Sequence, residues 1–357
     1  MEKYLKNLIK LQGPLSISQF MNEALFHPKF GYYTNNQPIG RDGDFITSPE
    51  ISQVFGELIA AYQINLWQNN YNSQEINLVE MGAGRGTLMQ DLLRFAGKIP
   101  NFLEKVTINI VEISPKLQEI QKNNLKNFKI KWWDNFNDFY ENNQQKPIFF
   151  LSNELFDCFA INQYARIDDI WVEKMVNIDK NDDLQFSLSE KNEIISKKIE
   201  KLTQKNIKNG DIFEYSPLSV QFMSDLSAAI KKTNGLAIII DYGYIENRYQ
   251  NSLQAIYKHK YSNPLQDIGK SDITSLVNFG NLEKIANNLQ LKSWIITQKE
   301  FLESLGIEIR KKSLINNLKS SNEQLLNDKK NINSAINRLI DKDQMGELFK
   351  VMIISKI

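Results

Sequence analysis

Ile17, Phe20, Met21, Ala24 and Leu25 recur at intervals of three and four near the start of the chain, the spacing that lines one face of an α-helix. His27-Pro28 ends that pattern, because the residue before a proline is driven out of the helical region. A second apolar face follows in Val54, Phe55, Leu58, Ile59 and Tyr62. It lies behind Ser48-Pro49-Glu50, where Ser48 is expected to cap the helix, Pro49 to take its first turn and Glu50 to meet the positive helix end. Between the two faces, GYYTNNQPIGRDGDFITSPEIS is dense in Gly, Pro, Asn and Asp and reads as a loop. From Ile76 the rhythm changes. Ile76 to Met81, Val106 to Ile113, Ile130 to Trp133, Ile148 to Ser152 and Leu236 to Asp241 are short runs too apolar for strands with one wet face. Runs of that kind, separated by helical stretches, predict a parallel sheet covered on both faces, and hence a doubly wound, Rossmann-like α/β core. Leu348 to Ile354 reads as a closing strand, and Ile332, Ala335, Ile336 and Leu339 as the apolar face of a Lys- and Asn-rich helix before it.

The core is interrupted. After Phe159 the sequence alternates around two acidic turns, Asp168-Asp169 and Asp179 to Asp183, the pattern of antiparallel hairpins. A second, irregular stretch runs from Tyr244 to about Ser275. The chain therefore divides into an N-terminal helical region over 1–75, the first half of the core over 76–160, inserted hairpins and a helix over 161–234, and the second half of the core with a further insertion over 235–357. No internal repeat is present.

Composition narrows the chemistry. The 357 residues are 42% hydrophobic with a formal net charge of +1, so a globular core is expected and nothing in the bulk charge points to nucleic acid. One cysteine, Cys158, and two histidines, His27 and His259, rule out an internal disulfide and make a zinc site improbable. Cys158 is expected to behave as a small buried hydrophobe. No apolar run approaches the ~20 residues that span a bilayer. The N-terminus has the character of neither a secretory signal nor a transit peptide, so a cytoplasmic protein is expected. The sequence carries no sign of oligomeric state.

The chemistry concentrates in LVEMGAGRGTLMQDLL. A phosphate loop is excluded, because no Lys-Ser or Lys-Thr follows the glycines. Gly82, Gly84 and Gly86 are spaced GxGxG, unlike the GxGxxG of nicotinamide cofactors, and Glu80 stands two residues before the first. An acid at the end of that strand repels a pyrophosphate but suits the sulfonium and ammonium of S-adenosylmethionine, while glycine lets the backbone approach a ligand. Glu112, at the carboxyl edge of the second strand, can accept from both ribose hydroxyls of any nucleoside cofactor. Asp134 and Asn135 follow the third strand, where an adenine edge is expected.

GDFITSPEISQVFGELIA, LVEMGAGRGTLMQDLL, SNELFDCFAINQY, IIIDYGY, LQAIYKHKYSNPLQDIG and MGELFKVMI together resemble the MidA family over nearly the whole chain, from about Ser16 to Ile354. These are class I S-adenosylmethionine-dependent methyltransferases whose mitochondrial members help assemble respiratory complex I. The resemblance implies methylation of an arginine in a complex I subunit, with a protein as substrate and partner and no metal. It also implies that Gly43, Asp44, Thr47 and Ser48 form a lid over the cofactor. Glu154 and Asp157, after the fourth strand, become candidates to hold and deprotonate the acceptor, with Asn153 orienting acceptor or cofactor. Asp241 and Tyr242 are expected to line the acceptor pocket. Tyr164 and Trp171 are candidates for contact with a protein substrate, against the commoner fate of core packing. Two alternatives remain open: an assembly chaperone of this fold with little turnover, and an NAD-dependent oxidoreductase.

Overall fold

A computed structural model of the chain describes residues 1–35, 47–203, 207–246, 248–318 and 322–356. Over these residues the central sheet has eight strands. Seven form its main path, which we number β1 (Ile76–Met81), β2 (Val106–Val111), β3 (Ile130–Trp133), β4 (Ile148–Asn153), β5 (Leu236–Tyr244), β6 (Lys292–Thr297) and β7 (Phe349–Ser355). Their spatial order is β3-β2-β1-β4-β5-β7-β6. The pairs among β1 to β5 are parallel, and β7 runs antiparallel to both its neighbours. Strand order reverses between β1 and β4, so the crossovers leave the sheet on opposite sides there and open a crevice beyond the carboxyl ends.

Most of the apolar runs are explained by burial on both faces; the exception is β3, an edge strand that is only partly buried, with Lys131 exposed. All six residues of β4 are buried. Successive residues of each strand feed opposite cores: Val79, Phe150 and Ile239 pack with the helices Ile17–Phe26 and Pro217–Thr233. Leu78, Phe149, Leu151, Ile238 and Ile240 pack with Gln53–Asn69 and Thr87–Ala96. The helix Ile17–Phe26 buries Ile17, Phe20, Met21, Ala24 and Leu25, the face its spacing predicts, and ends at His27. The Nδ1 of His27 accepts from the backbone N–H groups of Lys29 and Phe30, a local turn role.

Several expectations change. The helix opening at Ser48 is one turn, Ser48–Ile51, with Thr47 at its cap position. The long helix begins at Gln53, and its cap is Ser52, whose side chain accepts from the N–H of Val54. β6 has no counterpart among the apolar runs because it is an edge strand with Trp294 about half exposed. Helix Pro217–Thr233 packs Phe222, Met223, Leu226, Ala229 and Ile230 into the core, so the inserted part of segment 161–234 ends before it.

The insertion itself is an antiparallel sheet of Asn162–Ile167, Ile170–Ile178, Leu184–Leu188 and Ile212–Tyr215, joined by the N-terminal strand Leu15–Ser16. Its first turn, Asp168-Asp169, has φ of 48° and 60°, the left-handed pair of a tight hairpin that matches strand twist. Trp171 and Tyr164 are buried in a small core with Ile199 and Phe213, so neither is a surface for a protein substrate. The stretch after Tyr244 is less irregular than its composition suggests. Gln254–Tyr257, Lys260–Ser262 and Asp272–Thr274 form a three-stranded sheet. The strand that follows it, Val277–Asn278, pairs in parallel with the end of β5 as the eighth strand of the central sheet, and there a side chain on Gly243 would lie 2.1 Å from the Val277 carbonyl oxygen.

Candidate active site

β1 delivers the glycine loop to the crevice. Gly82, Gly84 and Gly86 have φ of 73°, 54° and 80°, a left-handed path that L side chains resist. The three glycines do different work. Gly82 and Gly84 line a cavity of about 340 Å³, and a Cβ on Gly82 would stand 2.9 Å from Cδ1 of Leu155. Gly86 caps helix Thr87–Ala96 and packs against Leu125. It is absent from the cavity wall, so its requirement for glycine is structural. Gly82→Ala is expected to lower stability by about 1–2 kcal/mol, the cost of a left-handed L residue, with the Leu155 contact adding to it. A denaturant midpoint equal to that of the native chain would show that the loop relaxes freely.

Glu80 and Glu112 occupy adjacent parallel strand ends. Burial pushes the Glu80 carboxyl up to about 8; the Met89 N–H opposes the rise and the Glu112 charge adds to it. One oxygen of Glu80, Oε2, has no hydrogen-bond partner among the described residues. It lines a smaller pocket of about 40 Å³ with Thr47, Gly82, Gly84, Arg85 and Thr87, beside the large cavity. Glu112 lies just past β2 in the large cavity and is 6% exposed. Its Oε1 accepts from the Ser114 N–H at 2.9 Å and its Oε2 from the Gln121 amide at 3.1 Å. Burial holds it up at about 6, with those donors opposing. Each carboxylate oxygen retains a second lone pair, so two hydroxyls can still be received. Asp134 and Asn135 line the same end of the cavity. Asn135 also caps helix Phe136–Glu141, accepting from the Asp138 N–H, which explains its identity without a ligand. Ser48 is fully buried with its hydroxyl on Gln298, and only its N–H reaches Glu154, at 3.3 Å. Thr47 lines both pockets, whereas Ser48 lines neither. Gly43 and Asp44, the rest of the expected lid, lie outside the described residues.

The segment after β4 supplies the acids. Glu154 has φ 52°, a left-handed turn fixed by its N–H donating to the Ile240 carbonyl. Its Oε1 accepts from the Asn153 amide at 2.9 Å, and its carboxyl lies on the wall shared by both pockets. Burial, then the Asp157 charge, pushes it up to about 7. Asn153 faces the smaller pocket with Glu80, whereas Asp157 faces only the large cavity. Asp157 accepts from the Tyr242 hydroxyl on Oδ2, and its Oδ1 has no partner among the described residues. Burial raises its carboxyl to about 6, against the Tyr242 hydrogen bond. Beneath them Asp241 is fully buried and accepts three backbone N–H groups, from Phe156, Asp157 and Tyr242. Burial, then Asp157 and Glu154, drives it well above the usual carboxylate range. Asp241 therefore braces the turn, and of the expected pair only Tyr242 lines the cavity.

The cavity wall also holds residues that sequence motifs did not mark: Phe26 and Tyr33 from the N-terminal region, and Asp272 from the second insertion. Cys158, expected as a buried hydrophobe, is also on this wall, its thiol donating to the Leu155 carbonyl and pushed up well above its ordinary value by burial. Among the described residues there is no cluster of ligands for a metal ion and no helix long and apolar enough to cross a membrane.

The donor set fits an adenosyl amino acid. A buried carboxylate with lone pairs to spare, Glu112, stands just past the second strand, a backbone free of Cβ atoms follows the first, and Glu80 beside it keeps a buried carboxylate oxygen with no partner among the described residues. The comparisons agree. The family of S-adenosyl-L-methionine-dependent methyltransferases matches residues 58–297. A mitochondrial protein of Xenopus laevis named protein arginine methyltransferase NDUFAF7 is 32% identical, with 96% of this chain and 81% of that protein covered. Its Homo sapiens counterpart is 30% identical over 98% of this chain and 82% of its own. A crystal structure from Burkholderia thailandensis, bound to S-adenosyl-homocysteine, superposes with a TM-score of 0.83 at 23% identity, covering 99% of this chain and 91% of that one.

Proposed function

The chain belongs to the MidA family of class I S-adenosylmethionine-dependent methyltransferases, and from that premise we propose that it methylates an arginine side chain of a protein. The observation that carries this reading is the placement of Glu154 and Asp157 in the cavity that also contains the ribose-type acceptor Glu112. The relatives named as protein arginine methyltransferases support it. A core subunit of respiratory complex I is the protein acceptor that the resemblance to the mitochondrial relatives favours.

Glu112 would hold the ribose, Gly82 and Gly84 would let the backbone approach, and Asp134 would meet the adenine edge. Glu80 and Asn153 face the amino-acid end, with Thr47 above them. S-adenosylmethionine supplies a methyl group on a sulfonium, so the protein needs neither a metal nor a covalent intermediate. What the residues must provide is an aligned nucleophile and a place for one proton. An arginine guanidinium is protonated in water and presents five N–H donors in a plane. Asp157 can accept from it through Oδ1, and the neighbouring positive charge favours its ionised form. The nitrogen that gains the methyl must lose a proton, and Glu154, raised to about 7, is matched to accept it near neutrality.

Ligand binding beside Glu80 carries a proton signature. A neighbouring ammonium favours the ionised carboxylate and so lowers a pKa that stands at about 8. Binding S-adenosylhomocysteine at about pH 7 is therefore expected to release up to about one proton, and far fewer at about pH 9, where Glu80 is already ionised. Calorimetry in buffers of different ionisation enthalpy reads this directly. Glu80→Gln should remove most of the release; an unchanged value would take Glu80 out of the site.

The decisive experiment incubates the protein with methyl-labelled S-adenosylmethionine and the complex I core subunits of its own source, then locates the label by mass spectrometry. Label on an arginine supports the reading, and label on another residue type, or none, defeats it.

A further inference from the structure

Two acids of the cavity wall, Asp157 and Asp272, come from parts of the chain with no sequence motif in common. Asp157 follows β4, and its Oδ2 receives the hydroxyl of Tyr242. Asp272 opens the strand Asp272–Thr274 of the second insertion, and the hydroxyl of Tyr33 reaches both its oxygens, at 3.1 and 3.0 Å. All four side chains line the large cavity, and both carboxylates are more than nine-tenths buried. Burial first, then the charges of Asp272, Cys158 and Asp157, drives the Tyr33 hydroxyl well above its ordinary value, as expected where two acids share one low-dielectric space.

Resting on the arginine reading above, we propose that Asp272, oriented by Tyr33, forms with Asp157 a two-carboxylate clamp for the acceptor guanidinium, and that this clamp selects arginine. The argument is one of shape and charge. A guanidinium offers N–H donors on two edges of a plane, and two carboxylates reached from different elements can accept on both. The unpartnered, buried Oδ1 of Asp157 marks where one of those donors is missing. A delocalised cation between the acids offsets the cost of keeping both ionised away from water. An ammonium is a compact point charge that does not satisfy both edges, and a neutral urea offers no compensating charge. The clamp also gives the second insertion and the N-terminal region a role, since each contributes one half of the Tyr33–Asp272 pair.

The test uses full-length protein saturated with S-adenosylhomocysteine and titrated, by NMR, with Nα-acetylated amides of arginine, lysine and citrulline. The arginine compound should bind saturably and the citrulline compound at least about tenfold more weakly, the scale of losing a charge-assisted contact. Asp272→Asn should weaken the arginine compound at least about tenfold with S-adenosylhomocysteine affinity within about twofold, while Asp272→Glu, which keeps the charge, should lose less. If the Asn variant misfolds and loses S-adenosylhomocysteine, Tyr33→Phe takes its place, with at least about threefold weaker arginine binding expected. Equal binding of the arginine and citrulline compounds, no arginine binding at all, or variants that bind it as the native chain does, would overturn the clamp. The two failures are separable: label on a residue other than arginine defeats the reaction assignment, whereas arginine methylation with an unchanged KM in Asp272→Asn defeats only the clamp.

Discussion

Glu154→Gln is expected to slow methyl transfer by about a hundredfold or more, in the range typical of a lost general base, while S-adenosylhomocysteine binds within about threefold of its native affinity. The separation follows from position. Glu154 stands on the wall common to the two pockets, where its carboxylate can take up the acceptor proton, yet the amide of Gln preserves the oxygen that receives the Asn153 amide and the Ser48 N–H. Shape and turn geometry therefore persist while proton-accepting capacity disappears. Single-turnover rates with labelled cofactor measure the first quantity and calorimetry the second. Undiminished turnover would remove Glu154 from the reaction and leave Asp157 as the proton acceptor.

Glu112→Ala should act in the opposite way, on affinity. Two charge-assisted hydrogen bonds to ribose hydroxyls are worth about 1.5–3 kcal/mol each. The desolvation that holds Glu112 at about 6 offsets part of that gain. A net loss of about 3 kcal/mol, or roughly a hundredfold in Kd for S-adenosylhomocysteine, is expected. Glu112→Gln keeps one acceptor oxygen and should lose about tenfold. The Gln variant also discriminates against a trivial explanation, because it retains a side chain beside Ser114 and Gln121, the groups that Glu112 now anchors. Should both variants bind like the native chain, the ribose is held elsewhere.

Much of this molecule is legible along the chain, for a physical reason. A parallel strand buried on both faces is apolar at most positions, so Ile76–Met81 and most of Ile148–Asn153 and Leu236–Tyr244 announce themselves. A ligand held at strand ends is met by residues a few positions from those runs, which is why Glu80, Gly82, Gly84, Glu112, Asp134, Glu154 and Asp157 could be singled out and now surround two adjoining pockets. Edge strand β6 escaped because one-sided pairing leaves it half exposed and without an apolar run.

The division of labour among those residues was decided by the tertiary structure. Both Gly82 and Gly86 look like ligand glycines in GAGRG, but one faces the cavity and the other faces Leu125. Ser48 has the chemistry of a binding residue and spends its hydroxyl on Gln298, 250 positions away. Tyr33 and Asp272 are separated by 239 positions, and Asp157 and Tyr242 by 85. Periodicity, caps and turns act over a few residues, so sequence alone determined a doubly wound core and the ends at which chemistry would gather. Which acids meet across the cavity depends on sheet register and on the N-terminal region and the second insertion folding back over it, and those are set by long-range packing that leaves no local signature.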